Sequence, residues 1–132
     1  MFALSLAIIG LGFGAIIGLG SLFNPAWAAD IVRLQADPVK PGGYSEFRAT
    51  YGGLLFMVHF VALVLVLTTD LGWAVTLPIA AGWFGAAIGR SMSLILDKTE
   101  LREPAKNPTW IATEIALGLA IGAPSIHHLL IN

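Results

Sequence analysis

The chain has 132 residues, of which 57% are hydrophobic, with 7 Lys and Arg against 8 Asp and Glu and no Cys. A mean hydropathy of +0.83 excludes an ordinary water-soluble globular domain. The net charge of −1 offers no basic field for nucleic acid, and the lack of cysteine removes disulfides, thiolate zinc sites, iron–sulfur clusters and a cysteine nucleophile.

A helix needs about 20 apolar residues to cross the hydrocarbon, so the length accommodates four crossings and their connections. Charge divides the chain in that way. Asp30, Arg33, Asp37, Lys40, Glu46 and Arg48 fall in one segment, and Asp97, Lys98, Glu100, Arg102, Glu103 and Lys106 in another. The rest is apolar, interrupted only by Asp70, Arg90 and Glu114. The expected fold is an all-α membrane protein: an antiparallel four-transmembrane-helix bundle over residues 1–132 as a single membrane domain, with spans at 2–23, 46–69, 71–96 and 108–130.

The first span carries Gly10, Gly14 and Gly18 as two consecutive G-x-x-x-G steps, a side-chain-free face that lets another helix approach closely. It is no dinucleotide fingerprint, because no strand precedes it. Asn24-Pro25 follows, an N-cap with proline at the first helical position. In the segment 25–36, Trp27, Ile31 and Leu34 recur at i, i+4 and i+7. This predicts a short amphipathic helix lying in the headgroup interface, with an irregular loop as the competing reading. Ala26-Trp27-Ala28 has the small-x-small form of a signal-peptidase site, but no basic stretch precedes the apolar run, so the first helix is expected to stay. A Pro41-Gly42-Gly43 turn and a Ser45 cap are expected to start the second span.

Thr68, Thr69, Asp70 and Gly72 make a tight turn between the second and third spans. The two charged loops therefore share a side. They hold Arg33, Lys40, Arg48, Lys98, Arg102 and Lys106, and the opposite side holds no Lys or Arg. By the positive-inside rule loops 24–50 and 97–107 are cytoplasmic and both termini outside, in a bacterial cytoplasmic membrane. In the third span Gly85 and Gly89 repeat the glycine spacing, as do Gly118 and Gly122 in the fourth, which opens at Asn107-Pro108. These faces serve packing within one chain or homodimerisation; the first is favoured. Pro78 and Pro124 lie inside spans and free carbonyls that need partners.

Ionisable groups inside a membrane are costly and mark candidate sites. Arg90 and Glu114 both lie roughly 10 Å inside the span ends on the charged side, at 1.5 Å per residue, and can meet. Glu46, Arg48 and Tyr51 enter from the same side, and Ser93 and Asp97 follow Arg90 at i+3 and i+7. Two readings of this polar seam stay open. Paired charges can simply fix helix register, or Arg48 and Arg90 can hold a small anionic or polar headgroup while Glu46 or Glu114 orients it. His59, near mid-membrane, is expected to hydrogen-bond across helices. His127 and His128 project about 100° apart on a helix, poorly placed to share one metal, and are expected at the surface. No metal or other cofactor is expected, because no H-x-x-x-H, H-E-x-x-H or phosphate-loop pattern occurs.

Glu46-Phe47-Arg48-Ala49-Thr50-Tyr51-Gly52-Gly53 and Gly89-Arg90 with Ser93 and Asp97 form E-x-R-A-x-Y-G-G and G-R-x-x-S-x-x-x-D patterns. Together with Asn24-Pro25 after the first span, they resemble a widespread bacterial family of small four-helix membrane proteins of unknown function. The resemblance covers nearly the whole chain. It implies the four-helix fold and makes Glu46, Arg48, Tyr51, Arg90, Ser93, Asp97 and Glu114 the ligand-binding candidates, but supplies no reaction, ligand or partner.

The leading functional expectation is a non-enzymatic accessory or assembly subunit of a membrane complex, or a homo-oligomer, with a structural polar cluster. The alternative is a binder or carrier of a small lipid-like or polar metabolite through Arg48, Arg90, Glu46 and Glu114. A third reading, a membrane enzyme, rests only on the capacity of carboxylate–arginine clusters for acid–base chemistry.

Overall fold

The computed structural model describes residues 1–37, 39, 42–97 and 107–131, and all regular structure among them is helical. Helix α1 (Phe2–Phe23) is unbroken and apolar. Its end is set at Asn24, whose N–H donates to the Gly20 carbonyl at 2.8 Å. The Asn24 side chain accepts from the Trp27 N–H at 3.2 Å and caps α2 (Pro25–Val32), with Pro25 in the first turn.

The short helix after the first span thus exists, but it stops at Val32 rather than at 36. Arg33 adopts a left-handed conformation, φ 58°, and its N–H closes on the Ala29 and Asp30 carbonyls. That turn brings the Leu34 N–H back onto the Ala29 carbonyl at 3.0 Å, so the helical ladder cannot continue.

Gly42 caps α3 (Gly43–Glu46). At φ 96° it holds a backbone conformation that glycine adopts without Cβ strain. The expected Ser45 cap is corrected: Ser45 lies within the helix, its own N–H donating to the Gly42 carbonyl at 2.8 Å. Pro41 and Lys40 fall outside the described residues. The chain then widens into a π-helical stretch, Phe47–Leu54, before α4 (Leu55–Thr68), so one helical run extends from Gly43 to Thr68. Thr69 to Leu71 form the turn, closed by the Gly72 N–H on the Thr69 carbonyl at 3.3 Å. Helix α5 (Gly72–Leu96) and helix α6 (Asn107–Ile131) follow, and both continue through their internal prolines, Pro78 and Pro124.

Among the described residues four helical runs are long and apolar enough to cross a bilayer: Phe2–Phe23, Gly43–Thr68, Gly72–Leu96 and Asn107–Ile131. The protein is a multi-span, all-helical membrane protein with a short extra helix after the first span. Large side chains such as Ile9, Ile16, Leu67 and Ile88 lie exposed on these helices, as expected where lipid rather than water is the solvent.

The chain forms two compact units, Leu11–Leu65 and Met1–Gly10 with Val66–Asn132. In the first, the glycine face of α1 is filled. A Cβ at Gly14 would overlap the His59 ring, and one at Gly18 would fall 2.6 Å from the Phe56 Cα. Gly52 in the π-helical stretch meets the Leu22 backbone equally closely, a Cβ there lying 2.8 Å from its Cα. Beside it, Ala28 and Ala29 of α2 bury against Phe47, with Val32 and Tyr51 packed around them. Phe47 and Tyr51 stack with centroids 5.7 Å apart.

In the second unit α5 and α6 pack along their lengths. Gly122 faces the Ala80 side chain and Gly118 faces the Phe84 ring, while Thr76 bonds Ser125 and Arg90 bonds Glu114. Partners advance along α5 as they retreat along α6, which makes the pair antiparallel. Gly10 sits against Ile121 of α6, with space for no side chain: a Cβ would lie 2.7 Å from the Ile121 Cγ1.

Candidate functional site

Polar bridges join α5 to α6 at well-separated levels of the interface. The first lies toward the Asp70 turn. Thr76 and Ser125 share a hydroxyl–hydroxyl hydrogen bond of 2.7 Å, and both are fully buried. Both hydroxyls also lie within reach of the Trp73 carbonyl, Thr76 at 2.8 Å and Ser125 across the helix interface, so that with one proton each, one donates to the carbonyl and the other to its neighbouring hydroxyl. The hydroxyls flank the two prolines, which deprive their helices of N–H donors. Ring stacking between Trp73 and His128, centroids 3.8 Å apart, continues the contact toward the helix ends.

The second bridge lies toward the charged-loop end. The Arg90 Nε donates to the Glu114 Oε1 at 2.6 Å. Glu114 is buried, with a side chain 5% exposed, whereas that of Arg90 is 31% exposed. The Arg90 guanidinium lies over the Trp110 ring, 5.7 Å from its centroid, close enough for a cation–π contact. Glu114 Oε2 is buried with no hydrogen-bond partner among the described residues. One turn further along α5, the Ser93 hydroxyl donates to the Asp97 carboxylate.

Of the seven candidate residues, the structure therefore joins Arg90 to Glu114 and Ser93 to Asp97. Glu46, Arg48 and Tyr51 belong to the other compact unit. Glu46 and Arg48 are exposed on the helical run that starts at Gly43, and Tyr51 packs into the Ala28, Ala29 and Phe47 cluster. His59 is buried among the helices of its unit. Its Nδ1 bonds the Leu55 carbonyl of its own helix at 2.8 Å, while the ring fills the space left by Gly14. His127 is exposed, whereas His128 is partly covered by Trp73.

Sequence reasoning missed Thr76, Ser125 and Trp110. A signal for the first two was present, since a hydroxyl residue stands next to Pro124 and another two positions before Pro78, where freed carbonyls call for donors. At the same end of the second unit, a cavity of about 620 Å³ is lined by Phe2, Leu4, Trp73, Pro124, His127 and His128. No group of His, Asp or Glu among the described residues is arranged to hold a metal ion.

Fold and site together define a multi-pass helical membrane protein with a buried polar cluster. The family model for Domain of unknown function (DUF4345) matches residues 1–123, and the chain belongs to that family. No curated protein and no solved structure matches it.

Proposed function

We propose that this protein is a non-enzymatic accessory or assembly subunit of a membrane complex, or a homo-oligomer, in which the α5–α6 polar contacts serve mainly to fix the helix pair. The observation that carries this reading is the outer face of α5. Gly82, Gly85 and Gly89 are exposed, and a Cβ at any of them would meet no described residue within 4 Å. The glycines of α1 and α6 at equivalent spacings are filled by side chains or backbone of the same chain. In lipid, helices associate by close packing at such small-residue faces, so a face left open within the chain suits a helix from elsewhere.

Native mass spectrometry of the tagged protein released gently from its own membrane tests this. The expected result is a stoichiometric second protein or a defined homo-oligomer, lost on Gly85→Leu while the chain remains helical and extractable. A monomer alone across several gentle conditions would overturn it.

We further propose the orientation that the basic residues favour, with loops 24–50 and 97–107 in the bacterial cytoplasm and both termini outside. Helix α2, with Trp27 partly exposed beside Gly20, would then lie at the cytoplasmic headgroup boundary. A reporter fused after residue 132 should signal from outside; a cytoplasmic signal reverses the assignment.

A further inference from the structure

We infer that Arg90 is a phosphate-binding site, set in place by Glu114 and Trp110 and opening at the charged-loop end of the α5–α6 pair. Arginine has five N–H donors in a planar fork. Glu114 takes the Nε donor at 2.6 Å, and no other hydrogen bond reaches the guanidinium from a described residue. The four Nη donors therefore remain for a ligand. The side chain is 31% exposed, so the fork is accessible while its anchoring carboxylate is not.

A second contact helps to hold the group in position. Trp110 lies against the guanidinium, and a salt bridge through Nε fixes one edge of the fork, leaving the Nη pair pointing away from that edge. A pre-set fork loses less freedom on binding than a mobile lysine and matches two oxygens of one phosphate. A structural ion pair alone would gain from a two-point contact, Nε and Nη on both carboxylate oxygens. Here the contact is single, and the second oxygen, Oε2, is buried without a donor among the described residues. The pair thus orients Arg90 without consuming it.

Placed roughly 10 Å inside the span end, a long arginine side chain reaches the headgroup level, where the phosphodiester of a glycerophospholipid is the oxyanion at hand. Inorganic phosphate from the adjoining water offers the same chemistry. This inference does not rest on the open glycine face of α5, and it adds a ligand role to one of the polar contacts that fix the helix pair.

Delipidated protein in detergent is titrated with phosphatidylglycerol, phosphatidylcholine and diacylglycerol, and bound lipid is counted by native mass spectrometry. One phospholipid of either headgroup should be retained at least about tenfold more tightly than diacylglycerol, the effect of one charge-assisted hydrogen-bonded contact. Arg90→Gln and Arg90→Lys should both fall to the diacylglycerol level, the lysine because it keeps the charge but not the fork. Arg90→Gln leaves Glu114 buried beside an amide and can fail to fold, so Arg90→Gln with Glu114→Gln, checked for helicity, supplies the neutral pair. Millimolar inorganic phosphate that strips the lipid from wild type identifies the free ion as an occupant of the same site; indifference to it assigns the lipid. Equal retention of phospholipid by wild type and the folded Arg90 variants, or no preference of wild type for phospholipid or phosphate, would overturn the inference.

Discussion

The two bridges between α5 and α6 use the same helices and spend their polar groups differently. At Thr76 and Ser125 both hydroxyls are fully buried, and each spends its one proton on the Trp73 carbonyl or on the other hydroxyl, beside a proline-interrupted turn. At Arg90 and Glu114 one Nε–Oε1 bond forms, with Oε2 left without a donor and the guanidinium partly exposed. The first arrangement has little capacity left for a ligand and is a structural latch. The second has capacity on both partners, which separates a contact that holds helices from one that can also hold something else.

The largest expected effect separates the bridges by charge. Arg90→Leu leaves a buried carboxylate unpaired and should cost about 3 kcal/mol, near the low end for breaking a buried pair because Arg90 is partly exposed. Arg90→Leu with Glu114→Leu should recover most of that loss in a reversible detergent-unfolding titration. If the double variant is as unstable as the single one, the charge pair is not what the single change disturbs.

Between the bridges, the close approach of the helices depends on Gly118 and Gly122. A Cβ at Gly118 would lie 2.8 Å from the Phe84 ring, and one at Gly122 would lie 3.1 Å from the Ala80 Cβ. Gly118→Ala should destabilise by about 1–3 kcal/mol through overpacking, and Gly122→Ala by less, as read by thermal unfolding in detergent. Equal and negligible effects would mean that α5 and α6 are held by the bridges alone.

At the latch, Thr76→Val should cost about 1–2 kcal/mol by leaving buried polar atoms without a partner. A cycle with Ser125→Ala should give a coupling of about 0.6–2 kcal/mol, in the range of interhelical hydrogen bonds in lipid. Independent effects would remove the distinction drawn between the two bridges. The smallest change is expected outside the interface: Gly85→Ala meets open space and should move stability by no more than about 0.5 kcal/mol, whatever it does to association with a partner.

Much of the architecture was legible because it follows from local chemistry. Apolar runs of membrane length, a proline after Asn24 and a polar turn at Asp70 specify helices and their ends without reference to the rest of the chain. The pairing of Arg90 with Glu114 was legible too, since equal depth on antiparallel spans brings two costly charges into reach. The grouping of Glu46 and Arg48 with them was an extension of that depth argument to a third helix. Depth along an axis leaves rotation about it open, so depth by itself does not place these two residues with the pair.

Other features depended on contacts far apart in sequence. Nothing local distinguishes the glycines of α1, closed by His59 and Phe56, from those of α5, which face open space; a helix carries its small residues the same way whether or not a neighbour arrives. The π-helical widening over Phe47–Leu54 accompanies the approach of Gly52 to the Leu22 backbone and the burial of Phe47 against α2. Spacing rules built on 3.6 residues per turn do not anticipate it. The sequence by itself determined four spans and the charges between them, because hydrophobicity, capping and proline act within a turn or two of where they stand. The tertiary structure alone decided which small faces close, which hydroxyls form a latch and that Arg90 keeps donors to spare, because those outcomes depend on the rotation and register of one helix against another.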